Sequence, residues 1–206
     1  MQGAPTAAVT DDERGRYRVL PGRNDDERQL LAVDGSEVVA VPATAVATAD
    51  VGNVVAAGLG WETEPPAVRD VTVETATRFR FERTTEAMFE AARNCFERAQ
   101  ADGEAMNSRV THGTDGDPNG VVYTFAEQPG EQDLFAEFRD GTKPLEPLVA
   151  RAADGETPPF SVWVLDPEPP FVAVYIVLDP DGLLEQTMRE TYLGDGGLAE
   201  NIEQKQ

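Results

Sequence analysis

The chain has 206 residues, 38 of them acidic and 17 basic, which gives a formal net charge of −21 at pH 7. Its hydrophobic fraction of 40% is enough to build a core, and its single cysteine, Cys95, excludes an intramolecular disulfide framework and a multi-cysteine zinc site. Self-repulsion at such a charge destabilises a compact state in dilute buffer, whereas about 1 M salt shortens the Debye length to about 3 Å and removes the repulsion.

The charge pattern therefore predicts a protein of a high-salt cytoplasm. The acidic residues lie among periodic apolar segments, which argues against an acidic disordered protein. The N-terminal residues lack the basic start and apolar core of a signal peptide, and the longest apolar run, at 171–178, is far shorter than a membrane span. A disordered tail is predicted over residues 1–14 and a frayed tail over residues 194–206.

Residues 15–83 are predicted to form a small antiparallel β-barrel of the OB or SH3-like kind. Asp34 and Gly35 are a tight-turn dipeptide, so the strands on either side of them are expected to form a hairpin. Pro42 marks a bend or an edge, because proline cannot donate within a central strand. Five short strands without a helical period favour a barrel. They are expected at 16–20, 29–33, 37–46, 54–59 and 71–81.

Residues 84–193 are predicted to be an α+β domain that packs on the barrel. Apolar residues at helical spacing predict a helix at 84–102, with Thr84 or Thr85 as its N-cap and Gly103 after its end. Two further helices are expected at 131–140 and 144–153. The domain is therefore expected to be an antiparallel sheet of five strands backed by three helices.

Three strands of that sheet are predicted near the C-terminus. The strands at 160–166 and 171–179 are joined only by PEPP, which is too short for a crossover, so they must run antiparallel. The turn that begins at Asp179 is followed by residues 183–192, which are interpreted as a third strand of this meander. A helix started by Pro180 is the competing interpretation.

The segment 107–127 is predicted to supply the other two strands as a hairpin, and it is the first candidate for a ligand site. Its first strand carries polar side chains that no turn requires, and it ends at the only histidine. A lone histidine is more often a hydrogen-bonded structural residue than a catalyst. No catalytic residue is assigned. The candidate ligand-binding residues are Asn107, Ser108, Arg109, Thr111 and His112.

The turn of this hairpin is a second candidate, for a metal ion. Asp115, Asp117 and Asn119 match the first half of a calcium loop, D-x-D-x-N-G, in which alternate oxygens face the ion. The twelfth position should carry a bidentate carboxylate, but it is Ala126, and Glu127 comes one residue late. A structural turn is favoured, because Asp-Gly and Asn-Gly also supply the positive dihedrals of a long hairpin turn. No cofactor is expected, with calcium or another divalent metal as the alternative.

Four arginines are a third candidate, for nucleic acid. Arg16 and Arg18 share one face of their predicted strand, and Arg78 and Arg80 share one face of theirs. If the first and last barrel strands pair, the four guanidinium groups gather on one surface, and arginine forks suit phosphate. Cross-strand pairing of these arginines with acidic neighbours such as Glu74 explains the same pattern without a ligand.

Several stretches resemble a family of uncharacterised proteins of halophilic archaea. They are GRYRVL, DVGNVVAAGLGW, MNSRVTHGTDGDPNGVVYTFAE, LEPLVARA and RETY. The resemblance spans residues 15–192 and implies no activity, so it assigns no residue roles. The predicted function is a non-enzymatic binding or regulatory protein, with nucleic acid, a small ligand or a protein as partner. The alternative is a metal-assisted hydrolase or a metal or ligand site on the 107–120 hairpin.

Overall fold

The computed structural model describes residues 13–127, 133–153, 155–167 and 170–194. Within these ranges the chain forms ten strands and four α-helices, and the strands make two five-stranded sheets. The class is therefore α+β. The predicted tail at 1–14 lies outside the described residues except for its last two positions, and the C-terminal tail lies outside them from residue 195 onward.

The first sheet is antiparallel and open. Its strand order is β3-β2-β1-β4-β5, with antiparallel pairing between all neighbours. The strands are β1 (Glu13–Pro21), β2 (Glu27–Ala32), β3 (Val38–Pro42), β4 (Val54–Gly60) and β5 (Ala67–Thr75). The Asp34-Gly35 hairpin is confirmed, since it joins β2 to β3, and Pro42 ends an edge strand as predicted. A short 3₁₀ turn, Ala43–Val46, follows β3.

The predicted closed barrel is wrong, because the strand expected to close it belongs to the other sheet. The segment 71–81 is not one strand: β5 ends at Thr75, and a separate strand, β6 (Arg78–Arg83), begins three residues later. The buried hydroxyl of Thr77 accepts from the backbone N–H of Phe160 at 3.2 Å, which fixes the chain where it leaves the first sheet. From there β6 pairs in parallel with the strand that follows Phe160.

The second sheet is mixed, with the order β6-β9-β10-β8-β7. Its other strands are β7 (Met106–His112), β8 (Pro118–Ala126), β9 (Ser161–Asp166) and β10 (Phe171–Val177). The predicted hairpin β7–β8 and the antiparallel pair β9–β10 are confirmed, whereas the fully antiparallel sheet is wrong, because β6 runs parallel to β9. Every residue of β9 and β10 is buried, as in strands covered on both faces.

Four helices cover the second sheet, where three were predicted. They are α1 (Glu90–Asp102), α2 (Leu134–Asp140), α3 (Glu146–Ala152) and α4 (Leu183–Tyr192). The first begins later than predicted, with Phe89 at the N-cap position instead of a threonine, but it ends at Gly103, whose φ of 72° is left-handed. No helix among the described residues is long and apolar enough to span a membrane.

The predicted strand at 183–192 is wrong, because this segment is α4. The buried residues of this segment are Glu185, Met188 and Tyr192, at spacings of three and four residues, and the last two lie in one core cluster with residues of α1. In a strand, Glu185 would face the opposite way from Met188 and Tyr192, so the three could not be buried on one side. The helix thus satisfies the apolar pattern, and it leaves the fifth place in the sheet to β6.

Each sheet packs on a core of its own, and a third cluster joins them. Leu20 and Leu31 of the first sheet lie in the same cluster as Phe79 of β6 and Phe138 of α2. A separate cluster fills the inner side of the first sheet. The two sheets therefore share buried apolar surface and pack directly against each other.

Candidate functional site

A cavity of about 550 Å³ lies between the β7–β8 turn and the start of α4. We call it the hairpin cavity. One wall is the turn at 112–119, the opposite wall is the end of β10 with the first residues of α4, and Phe89 also lines the cavity. Four of the predicted site residues line it, namely His112, Asp115, Asp117 and Asn119.

The turn is held by its own backbone and side chains. The N–H of Gly113 donates to the carbonyl of Asp117 at 2.8 Å, and Oδ1 of Asp115 accepts from the N–H of Asp117 at 3.1 Å. Gly116 has a φ of 90°, which residues with a Cβ rarely adopt. Turn chemistry therefore accounts for Asp115 and Gly116 of the D-x-D-x-N-G pattern.

Asn119 fixes the base of the turn. Its Oδ1 accepts from the hydroxyl of Thr111 at 2.8 Å, and its backbone carbonyl accepts from the N–H of Leu178 at 3.1 Å. At the next position, a Cβ on Gly120 would lie 2.8 Å from the carbonyl oxygen of Ile176 and 3.2 Å from a methyl group of Leu184. The absence of a side chain there lets α4 pack close to β8 and shape the cavity wall.

The opposite wall contains the same kind of turn, in which an aspartate side chain accepts a hydrogen bond from the backbone N–H two residues later. Oδ1 of Asp179 accepts from the N–H of Asp181 at 3.0 Å, just before α4 begins at Leu183. Leu183 is 69% exposed, so an apolar side chain stands at the cavity mouth. Within the described part of the chain, the second carboxylate oxygens of Asp115 and Asp179 make no hydrogen bond.

The charge of the hairpin cavity is negative. Among the described residues that line it, Asp115, Asp117 and Asp179 carry carboxylates, and none is a lysine or an arginine. The rest of the lining is apolar or uncharged, including Phe89 and Leu184. A small organic cation with an apolar part matches this combination, because carboxylates attract its charge and the apolar lining residues contact its hydrocarbon.

A buried polar group holds α4 in place behind this wall. Nε1 of Trp163 donates to Oε2 of Glu185 at 2.7 Å, and Nε of Arg80 lies 3.5 Å from Oε1 of the same carboxylate. The guanidinium of Arg80 also lies over the ring of Trp163, 5.2 Å from its centroid. Glu185 is 3% exposed, so this contact fixes the helix against β9 from within the core.

The remaining residues of the predicted β7 cluster do not converge on the cavity. Nδ2 of Asn107 donates to the carbonyl of Cys95 at 3.2 Å, and its Oδ1 accepts from the N–H of Ser108 at 2.8 Å. The first of these bonds ties the edge strand β7 to α1, and the second holds the Asn107 side chain against its own strand. Arg109 is exposed on β7, and Thr111 acts through Asn119. The polar residues before the turn are thus explained mainly by anchoring of the strand.

The four arginines are not brought together. Arg16 and Arg18 lie on β1, which pairs with β2 and β4, whereas Arg78 and Arg80 lie on β6 in the other sheet, so the expected pairing of the two strands is wrong. Each has an acidic neighbour. The closest N–O distances are 2.7 Å for Arg16 and Glu74, 2.8 Å for Arg18 and Glu146, 3.8 Å for Arg78 and Asp50, and 3.5 Å for Arg80 and Glu185.

Arg18 in particular is a structural residue. It is 6% exposed, its Nη1 donates to the carbonyl of Gly52 at 2.6 Å, and its guanidinium lies 4.8 Å from the ring centroid of Phe79. Together with its bond to Glu146 at the start of α3, these contacts connect the first sheet to β6 and to a helix of the second. Such a buried guanidinium is unable to reach a phosphate.

Neither Cys95 nor the carboxylates of the described residues form a reactive or metal-binding centre. Burial raises the pKa of the Cys95 thiol, which faces the hydroxyl of Thr124 at 3.5 Å, so it is a core residue and not an activated nucleophile. In the ranges that the structure describes, no group of three or more His, Cys, Asp or Glu side chains lies close enough together to hold a metal ion.

Residues from the C-terminal wall were missed by the sequence analysis. Asp179, Leu183 and Thr187 line the cavity, but the interpretation of 183–192 as a strand placed them in a sheet. The spacing of four residues between Leu184, Met188 and Tyr192 fits a helix and also one face of a strand, so it did not separate the two interpretations of this segment.

Comparison with known proteins gives one match. The sequence model of a family of unknown function, DUF6663, matches residues 9–200. No curated protein and no solved structure is detectably similar to the chain.

Proposed function

The chain belongs to this family of unknown function, which brings no activity with it, and we propose from the cavity itself that it is a non-enzymatic protein that binds a small organic cation. The observation that supports this proposal is the composition of the hairpin cavity, which is lined by three aspartates and several apolar residues, without any lysine or arginine among the described lining residues.

The size and shape of the cavity fit a small ligand. Its volume of about 550 Å³ lies within the range of about 300–1,000 Å³ that is usual for small-molecule sites. The carboxylates of Asp115 and Asp179 each use one oxygen in a local turn, which fixes their orientation before a ligand arrives. Such preorganisation reduces the entropy lost on binding.

A binding role is favoured over a hydrolytic one by the surroundings of His112. Within the described residues this side chain makes no hydrogen bond to a carboxylate, a hydroxyl or a thiol, so it has no partner for general-base catalysis. The metal-assisted alternative needs several ligands around one point, and the described residues provide no such group.

We further propose that the protein works in the high-salt cytoplasm of a halophilic archaeon. The net charge of −21 and the resemblance noted above support this habitat. At about 1 M salt the Debye length is about 3 Å, so a cation is attracted only by carboxylates that it contacts directly. A partly enclosed cavity with apolar surface is the kind of site that still binds under these conditions.

The test compares three probes that share a phenyl ring and differ in the charge of the group attached to it. Benzyltrimethylammonium, benzyl alcohol and benzoate are titrated into the protein in molar KCl, and the melting temperature is measured. The cation at about 100 times its Kd should stabilise the protein by about 2.7 kcal/mol, which is several degrees, and the other two should have little effect. Equal shifts with all three probes, or none with the cation, would refute the proposal.

Two double variants separate the effect of the cavity from that of net charge: one removes two charges within the cavity, and the control removes two charges outside it. Asp115→Asn with Asp179→Asn keeps the Oδ1 acceptors that cap both turns but removes both charges. Asp25→Asn with Asp34→Asn removes the same charge from turns of the first sheet. Only the cavity pair should abolish the shift caused by the cation. A similar loss in both would mean that net charge and not the cavity attracts the probe.

A further inference from the structure

The outer edge of β3 is an unpaired strand edge. The N–H of Ala32 donates to the carbonyl of Glu37, and that of Ala43 donates to the carbonyl of Asp26, so the odd-numbered residues from 37 to 43 face β2. In an antiparallel pair the residues between them point their N–H and C=O groups the other way. These groups of Val38 and Ala40 have no hydrogen-bond partner in the described part of the chain.

A groove of about 1,010 Å³ runs beside this edge, and we call it the edge groove. One side is β3, and the other is the β4–β5 loop, where Trp61 is 52% exposed. The loop continues into Pro65 and Pro66, which have no N–H to offer, and no described strand pairs with the outer edge of β3. Val38, 40% exposed, adds apolar surface on the strand side.

The position of the groove is that of a missing strand. The first sheet curls without closing, because β6 pairs with β9 in the other sheet. The space between the outer edge of β3 and the loop at Trp61 remains open. A sixth strand, about 4.8 Å from β3, would satisfy the free N–H and C=O groups of Val38 and Ala40 and cover the indole.

The edge groove is negatively charged, which favours a basic occupant. Five of its lining residues are acidic and none of the described ones is basic. Glu62 lies 3.5 Å from Arg69, while the others make no ion pair with a described residue. The four without an ion pair are Asp26, Glu27, Glu37 and Glu64.

We propose that the edge groove binds an extended, basic segment of a partner protein, which adds to the first sheet as an antiparallel or parallel sixth strand next to β3. Backbone pairing with Val38 and Ala40 fixes the segment, Trp61 covers one of its apolar side chains, and lysines or arginines at its flanks meet the carboxylates at the rim. A second copy of this chain is disfavoured, because it would bring its own acidic rim against this one. Nucleic acid is disfavoured for the same reason.

The test uses fluorescence of Trp61, since the other tryptophan, Trp163, is fully buried and far less sensitive to an added peptide. The probe is the amidated peptide Lys-Thr-Lys-Val-Lys-Thr-Lys in about 1 M KCl. It should shift the Trp61 emission to the blue and bind at least about tenfold more tightly than the same peptide with glutamate in place of lysine. No shift, or equal binding of both peptides, would overturn the proposal.

Two backbone-modified peptides test the strand pairing. One peptide is N-methylated at every second backbone nitrogen, and the other peptide is N-methylated at the nitrogens in between. Because alternate N–H groups of a strand point to opposite edges, one peptide loses its donors toward β3 and the other keeps them. Edge pairing requires that only one of the two binds like the parent. If both bind alike, or neither binds, the segment does not pair with the edge.

The matched variant is Ala40→Pro. This substitution removes the outward N–H of residue 40 and leaves every ladder bond to β2 in place, and an edge strand tolerates proline at such a position. It should weaken binding of the basic peptide about tenfold. Trp61→Leu, which leaves the backbone edge intact, should weaken binding in an assay by calorimetry. Sedimentation of the protein without peptide tests whether a second copy occupies the edge. If the protein is a dimer and Ala40→Pro makes it a monomer, the edge pairs with a second copy and the proposal is overturned.

Discussion

Removal of the Glu185 carboxylate should destabilise the protein more than most single substitutions. The side chain is 3% exposed and accepts from Nε1 of Trp163, which is itself fully buried. In Glu185→Ala the indole N–H loses its acceptor, which costs about 1–3 kcal/mol for a buried donor. The variant also removes the negative partner of Arg80.

The ion-pair contribution is smaller than for a fully buried pair. Breaking a buried pair costs about 3–5 kcal/mol, but the Arg80 side chain is 17% exposed and its Nε is 3.5 Å from the carboxylate, so partial solvation reduces this cost. We therefore expect Glu185→Ala to lose about 3–4 kcal/mol in total, a large part of the usual stability of about 5–15 kcal/mol. Glu185→Gln keeps an acceptor for Trp163 and should lose only about 1–2 kcal/mol.

The assay is urea denaturation at a fixed molar KCl concentration, followed by far-UV circular dichroism and by tryptophan fluorescence. The control is Arg16→Ala, which breaks an ion pair whose side chains are 50% and 37% exposed and should change the free energy of unfolding by less than about 1 kcal/mol. A loss below about 1 kcal/mol in Glu185→Ala, or an equal loss in Glu185→Gln, would refute the role assigned to this carboxylate.

Two further predictions concern the backbone and the solvent. Gly52 has a φ of 98°, and a Cβ there would collide with the backbone nitrogen of Phe79, whereas Gly116 has a φ of 90° and no atom near its Cβ position. Gly52→Ala should therefore lower the free energy of unfolding, measured by chemical denaturation, by about 1–3 kcal/mol more than Gly116→Ala. Equal costs would contradict the close packing of the first sheet on β6. The free energy of unfolding should rise steeply between low and molar KCl, because the net charge is −21, and a chain equally stable in low salt would contradict the proposed habitat.

Local signals in the sequence predicted local structure well. Asp34-Gly35 specified a hairpin, Gly103 ended a helix in a left-handed conformation, and the polar turn after His112 joined two strands. Each of these depends on the dihedral angles of one or two residues. They also placed His112, Asp115 and Asn119 beside one another, and these residues now line the cavity.

Long-range pairing was beyond the reach of such signals. The alternation of arginine and phenylalanine from Arg78 to Phe81 specifies a strand, but it fits an antiparallel neighbour in the first sheet as well as a parallel one in the second. Its actual partner begins at Ser161, more than eighty residues later. The cavity was missed in part for the same reason, because its second wall is α4, whose Glu185 lies against Arg80 of β6.

Both proposed sites are negatively charged, because the arginines lie against carboxylates elsewhere. Arg16, Arg18, Arg78 and Arg80 each lie against a carboxylate, so the basic residues that could have formed an anion site are used for ion pairing and for packing between the sheets and α4. The openings at the β7–β8 turn and beside β3 are lined instead by carboxylates without a basic neighbour in their described linings. Since an unpaired carboxylate is most stabilised by a cation in direct contact, a ligand or a partner of this protein should supply positive charge.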